Sequence, residues 1–479
     1  MESAIPTPLA AASERADLAS LHEQARRRAA AAEQGVLLCV SFPFAGADLL
    51  GLYERMAEPG AFGFYWERPG VAFSLAAGGR AATFRTRGPE RFRTLAGRVQ
   101  GLLETALRGA PAGPAPCGPY LLGGFSFFQQ LEEGDWPGFD AGQLVVPAWL
   151  ALCAPGRHEV ILSALVTPDT EPAEGAAAME ALLHRVRGAA EGGSPEQGGE
   201  RHNRAFRLEE RGDGRDHWIE VVRHAREQIR QGRLAKVVLA RALDVVCEDS
   251  PSPTALVRRL RGAYPDCYNF LVDPGAGEVF LGATPERMAR FRNGTVDLAA
   301  MAGSMPRGAQ PEADEAYARH LLASRKEREE HRIVVDGILD AMGGLGEVRL
   351  PGCPQVVKLT NVQHLYTPIT LELRRKEPIL TLLERIHPTA AVGGHPREEA
   401  FRLIQECERF DRGWYAAPVG WMNAEGEGEF AVALRSGTLS GNRLRLFAGG
   451  GIVADSDLER EFEETQLKLQ PLLSALANE

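Results

Sequence analysis

Short apolar runs broken by Gly and Pro mark the early part of the chain. Residues 36–42, 120–128 and 144–152 each read as strands on this pattern. Before them, residues 13–34 predict an exposed or peripheral helix, within an N-terminal extension, 1–35, expected to be disordered or loosely docked. Residues 109–119 form a Pro/Gly/Ala loop, and the Gly/Glu/Ser bias of 187–203 marks a linker. The pattern then tightens. Residues 217–230 predict a helix, and 236–246 (KVVLARALDVV) a β-branched strand, followed by strands at 269–272 and 278–282 and a strand and loop over 285–306. One long helix is expected over 312–342, with others at 379–385, 398–410 and 458–477; strands are expected at 413–422, 429–436 and 443–447. Strands and helices do not follow a strict βαβ alternation and no repeat is present, so the expected fold class is α+β.

Composition narrows the function. The chain has 479 residues, 44% of them hydrophobic and 25% charged, as in ordinary globular proteins. A net charge of −10 argues against a nucleic-acid surface, because phosphate attracts positive charge. No run of about eighteen uncharged apolar residues appears, so no membrane span is expected, nor a signal peptide. Seven scattered Cys without a CxxC read as reduced cytosolic thiols, which places the protein in the cytoplasm. Only five Lys are present (236, 326, 358, 376, 468), so Arg supplies nearly all the positive charge. Each Lys is therefore worth inspecting, since Lys can lose its proton near neutral pH when buried and Arg cannot.

Several positions could carry chemistry. Lys236 opens an apolar strand: either its stem snorkels to water, or it is a desolvated amine usable as a general base. Glu286, in GATPERM, is either a solvated turn residue or a carboxyl kept neutral by apolar walls so that it can donate a proton. Glu327 and Glu330 share a helix face with Val334 and Ile338; the plain alternative is a Lys326–Glu330 surface pair. Glu461, Glu464 and Lys468 share a face of the last helix, where a Glu464–Lys468 surface pair is the plain alternative. Carboxylates from the two helices could together bind a hard cation, and Mg²⁺ suits one or two protein carboxylates completed by water and an anionic substrate. Gly449, Gly450 and Gly451 make either a tight turn or a close backbone approach to a carboxylate, to which Arg435 and Tyr415 could add hydrogen bonds. His364 and His387 read as structural. No P-loop, GxGxxG in strand–helix context, HExxH or GxSxG motif is present.

Ten segments, KVVLAR, GATPER, MAGSMPRG, KEREEHRIVV, NVQHL, HPTAAVGG, RGWYAAPVGW, ALRSG, AGGGIVADS and EFEETQLK, taken in order, resemble the chorismate-utilising enzymes. That family includes isochorismate, salicylate, anthranilate and aminodeoxychorismate synthases. FYWERPG at 64–70 and GGFSF at 123–127 resemble its weaker N-terminal half. The resemblance implies an anthranilate synthase-like fold, with large sheets packed face to face and helices outside. It divides the chain into the extension 1–35, a divergent part 36–200 and a catalytic core 205–479. It implies Lys236 as the base that activates water for attack at C2 of chorismate, and Glu286 as the acid that protonates the departing C4 hydroxyl. Glu330 and Glu464 match the Mg²⁺ ligands, with Glu327 and Glu461 as outer or water-mediated partners. Tyr415, Arg435, the amides near Gly449, Gly450 and Gly451, and Lys468 match the pocket for the substrate carboxylates, while Gly303, Ser304 and His364 match residues lining the ring site.

Within that family, ammonia-using members typically carry Gln where this chain has Lys236. The Lys therefore implies water as nucleophile, and HPTAAVGG resembles the isochorismate synthase version of its segment. The expected activity is a Mg²⁺-dependent isochorismate synthase feeding menaquinone or siderophore biosynthesis, with FYWERPG leaning to the menaquinone branch. The alternatives are a salicylate synthase, which would go on to eliminate pyruvate, and a silent chorismate binder. Expected partners are chorismate alone, with no nucleic acid, membrane or glutaminase partner, in a monomer or weak homodimer.

Overall fold

A computed structural model describes residues 8–110, 118–132, 134–192, 206–209 and 214–477. Among these, a thirteen-stranded and a ten-stranded sheet pack face to face. Strand order in the larger sheet runs from Phe206–Glu209 through Lys236–Cys247, Arg443–Ile452, Ser436–Ser440, Glu278–Thr284, Tyr268–Asp273, Gly63–Arg68, Phe73–Gly78, Trp149–Ala154, Arg157–Val166 and Val36–Pro43 to Leu107–Gly109, with Gly394–His395 paired beside Lys236. Pairing is antiparallel except between Val36–Pro43 and Leu107–Gly109. The fold is α+β, as expected. Both sheets draw strands from either side of residue 200, so the divergent part 36–200 and the core 205–479 share both sheets.

The larger sheet is buried on both faces, which explains its near-continuous apolar strands. Successive side chains point to opposite faces. Phe64 and Trp66 enter the core between the sheets with Phe270, Phe280, Leu122 and Trp421, whereas Tyr65, Leu271 and Leu281 pack outward under helices through Leu49, Leu256 and Leu472. Helix Pro8–Ala32 joins that outer layer through Leu18, Ala25 and Ala29, lying against helix Pro172–Glu191. The segment expected to be disordered or loosely docked is thus packed where it is described. Residues 187–191 of the expected linker end that second helix; residues 193–203 lie outside the described residues, as do 111–117 of the expected loop.

Other boundaries differ from the pattern for local reasons. The helix expected over 312–342 is two, Pro311–Ala323 and Arg325–Met342. Ser324 is extended (ψ 120°) and its Oγ accepts from the Glu327 amide, which caps the second helix. The run 144–152 is two strands in different sheets, Gly142–Val146 and Trp149–Ala154, separated at Pro147. Residues 413–417 are turns before strand Pro418–Asn423, and strand Arg443–Ile452 runs straight through Gly449, Gly450 and Gly451, which are not a turn.

Two crossings join the sheets near one end. At Pro285 and Glu286 the chain leaves the larger sheet (Glu278–Thr284) for the smaller one (Arg287–Arg292); after Gly428–Val432 it returns, through Arg435, to Ser436–Ser440. The crossings are bonded to each other. Thr284 Oγ1 donates to Val432 O (2.6 Å), Val432 N to Glu286 O (3.0 Å), and Ala283 N to Arg435 O (3.2 Å). Trp66 lies in the inter-sheet core with its ring tilted against Tyr268, centroids 5.2 Å apart. Trp66→Ala is expected to cost about 3–5 kcal/mol, read as a fall in the urea midpoint; a loss under 1 kcal/mol would show that this core is not where the two sheets are held.

Candidate active site

A cavity opens where these crossings meet the start of strand Lys236–Cys247, the Gly449–Gly451 stretch, and helices Arg325–Met342 and Leu458–Ala477. Glu286, Gly303, Ser304, Glu327, Glu330, His364, Tyr415, Arg435, Gly449, Gly451, Glu461, Glu464 and Lys468 all line it. Lys236 abuts it, 1% exposed, with Nζ 2.9 Å from Glu330 Oε1. It does not snorkel to water. Gly450 itself does not line the cavity. Strand alternation turns it to the other face, where a Cβ would lie 3.3 Å from Glu461 and 3.6 Å from Trp218. Gly449 and Gly451 face the site. A Cβ on Gly449 would come within 3.2 Å of the Tyr415 hydroxyl, and one on Gly451 within 2.6 Å of Glu330 Oε1 and 3.1 Å of Lys236 Cε. His387, read as structural, is buried beneath Phe127, its Nε2 near the Ser126 and Phe127 carbonyls.

Glu286 is 6% exposed, and its carboxyl has no hydrogen-bond partner among the described residues. Burial pushes it up to about 7, against the pull of Arg435, Lys236 and Lys468. It is thus a carboxylic acid poised to give up a proton near neutral pH. Arg435 is half-buried, has a left-handed backbone (φ 49°), and has no side-chain partner among the described residues. A guanidinium held this way, on strained backbone at the wall of a cavity, offers its donors to an anion from outside the chain. Tyr415 lies beside it with its ring stacked on Phe447, and burial raises its hydroxyl to about 12, so it is a neutral donor. His364 is pulled down to about 3 by burial, Arg435 and Lys468. Its Nδ1 faces the Ser304 hydroxyl (3.0 Å) and the Gly303 carbonyl (3.2 Å). A carbonyl only accepts, so Nδ1 carries the proton, and Nε2, which has no partner among the described residues, is an open acceptor.

Four carboxylates converge from the two helices. Burial and the Glu330 charge push Glu327 up to about 7; burial and the Glu464 charge do the same to Glu461. Burial also acts upward on Glu464, but Lys468, 2.6 Å away, outweighs it and the net shift is down. Lys468 also donates to Gly449 O (2.8 Å). The pair Glu464–Lys468 foreseen as a surface contact exists, but on the cavity wall. Mutually repelling carboxylates with hard oxygen donors fit a divalent cation such as Mg²⁺. Among the described residues no three His, Cys, Asp or Glu are grouped to hold a metal by themselves, so Glu330 and Glu464 would need water or substrate oxygens to complete a shell.

Of the residues at the site, Arg412 was missed in the sequence and Lys326 was given the wrong partner. Lys326 does not pair with Glu330; its Nζ is 3.4 Å from Glu461 Oε1 and 3.9 Å from Glu327 Oε1. Arg412, fully buried, donates to Glu408 Oε2 (2.7 Å), Val392 O (3.0 Å) and Val238 O (2.7 Å), and stacks on Phe127. It ties the strand that carries Lys236 to the loop ending in Gly393. Its place in RGWYAAPVGW was a usable signal.

A buried amine, a carboxyl held near neutrality and an unpaired guanidinium in one cavity define a site for acid–base chemistry on a small anion. Residues 22–477 match the family model described as chorismate binding enzyme, and the chain belongs to that family. An isochorismate synthase of Bacillus subtilis is 36% identical over 425 residues, covering 87% of this chain and 88% of its own length. A salicylate biosynthesis isochorismate synthase of Pseudomonas aeruginosa is 36% identical over 461 residues, 95% of this chain and 93% of its own. The solved menaquinone-specific isochorismate synthase of Escherichia coli shares the fold, with a TM-score of 0.75 at 24% identity over 96% of this chain and 99% of that one.

Glu286, Glu327 and Glu461 are each raised from 4.5 to about 7 on folding. The unfolded chain ionises them first, so stability present below 4.5 is lost as pH rises through 7. Thermal melts of metal-free protein are expected to fall over that window, and Glu286→Gln to flatten the fall; a melting temperature that rises steadily from pH 4.5 to 7 would contradict these assignments. Gly451→Ala forces a methyl onto Glu330 and is expected to cut turnover at least tenfold with an unchanged circular dichroism spectrum.

Proposed function

We propose that the protein is an isochorismate synthase, interconverting chorismate and isochorismate. The observation that carries this reading is the pairing of buried Lys236 with neutral Glu286 in a cavity whose free guanidinium, Arg435, calls for an anion. Lys236 Nζ takes a proton from the water that attacks C2. Glu286 gives its proton to the C4 hydroxyl, which leaves as water as the ring double bonds shift. One water enters and one departs, so the step is reversible and each group ends in the state from which the reverse reaction starts. Arg435 and Tyr415 bind a substrate carboxylate, and His364 Nε2 accepts from a substrate hydroxyl. Glu330 and Glu464 would hold Mg²⁺, which when bound supplies counter-charge for a second substrate carboxylate. The close-lying strand at Gly449 and Gly451 leaves room for that carboxylate because neither residue carries a Cβ. The product would enter menaquinone or siderophore formation.

Purified protein incubated with chorismate, with and without Mg²⁺, tests this by chromatography of the products. Isochorismate accumulating to a mixture with chorismate, only with metal, is the expected result. Salicylate with equimolar pyruvate would move the protein to the salicylate synthase reading, and binding without turnover to the silent binder. Lys236→Ala should abolish turnover with the fold intact. In the wild type, kcat/KM should fall as pH rises through about 7, where Glu286 loses the proton it must donate.

A further inference from the structure

Of the five lysines in the chain, three stand at this one cavity. Two hold the inner carboxylates: Lys236 is 2.9 Å from Glu330, and Lys468 is 2.6 Å from Glu464. The third, Lys326, is different. It bridges an outer pair, with Glu327 on its own helix and Glu461 on the other, and at 36% exposure it is the most open of the three. Both carboxylates of the outer pair are also held by the protein. Glu327 Oε2 accepts from the Ser304 amide at 3.1 Å, and Glu461 is hydrogen-bonded to Ser456. Oε1 of each carboxylate faces the Lys326 ammonium, at 3.4 Å from Glu461 and 3.9 Å from Glu327.

Two carboxylate oxygens facing one locus make half of a hard-cation site. Next to them the inner pair offers a similar arrangement. Without the ammonium, Glu327 and Glu461 would be left as two uncompensated carboxylates facing one point, a charge pattern that a divalent cation relieves. An ammonium on a short tether, in contrast, is always present and carries a single charge in a fixed place. We propose that Lys326 is a tethered counter-cation that fills the outer pair Glu327/Glu461 and so restricts the cluster to one divalent ion, at the inner pair Glu330/Glu464. This rests on the metal reading of the inner pair given above. It assigns Lys326 a specificity role, metal stoichiometry and placement, rather than contact with substrate.

The test counts bound Mn²⁺, used as a spectroscopic substitute for Mg²⁺, without chorismate. Free Mn²⁺ is measured by electron paramagnetic resonance as it is titrated into wild type, Lys326→Arg, Lys326→Gln, and a Lys326→Gln/Glu327→Gln/Glu461→Gln triple variant. Wild type and Lys326→Arg are expected to bind one ion per chain, Lys326→Gln two, and the triple variant one again. A single site of unchanged affinity in Lys326→Gln overturns the proposal. So does a Lys326→Gln protein that loses binding and melts at lower temperature, since Lys326 would then only brace the two helices. Wild type that binds one ion yet makes no isochorismate would sink the proposed activity and leave this inference standing; wild type that binds none sinks the inference.

Discussion

The structure depends on two chain crossings that are hydrogen-bonded to each other. Each sheet is antiparallel almost throughout, and either could slide on the other through an apolar interface without directional preference. The bonds Thr284–Val432, Val432–Glu286 and Ala283–Arg435 remove that freedom at one end. The same bonds place Glu286 and Arg435, because those residues are the crossings. An acid and an anion-binding cation thus take their mutual position from backbone hydrogen bonds rather than from long flexible side chains. Arg435 adopts a left-handed backbone to make its turn, a cost that persists only where surrounding structure enforces it.

Around that frame the site is an electrostatic problem solved locally. The chain is acidic overall, and its substrate class is anionic, so the long-range field does not favour binding. Compensation comes from cations at short range: Arg435, free for the ligand, and Lys468 on Glu464 and the carbonyl of Gly449. Arg412 serves differently. Its charge is met by Glu408 and its donors by two carbonyls, so it holds wall segments in register and leaves nothing over for a ligand.

What the sequence could reveal follows from distance along the chain. Strand Lys236–Cys247 and helix Leu458–Ala477 were legible because apolar periodicity is local. The break at Ser324 was not, since Pro311–Ala323 and Arg325–Met342 continue one apolar face and only the cap on Glu327 shows where one ends. Gly449, Gly450 and Gly451 were ambiguous because glycine permits a turn but does not require it; the decision came from pairing with Val238, Leu239 and Ala240. Lys326 was misread for the same reason. Helical spacing offered Glu330 as a partner, whereas the carboxylate it reaches, Glu461, lies 135 residues away. The roles given to Lys236, Glu286, Glu330 and Glu464 came from resemblance; helical spacing could align Glu327 with Glu330 and Glu461 with Glu464, but could not bring the two pairs together.

The scarcity of lysine has a consequence for how this molecule carries charge. A guanidinium keeps its proton at any pH a cell reaches, whereas an amine can exchange it. With three of five lysines gathered at one cavity, leaving Lys358 and Lys376 exposed elsewhere, the outer cationic surface is nearly all guanidinium. Positive charge outside is therefore carried by planar, multidentate forks, and the compact point charges of the ammonium groups are concentrated where carboxylates gather.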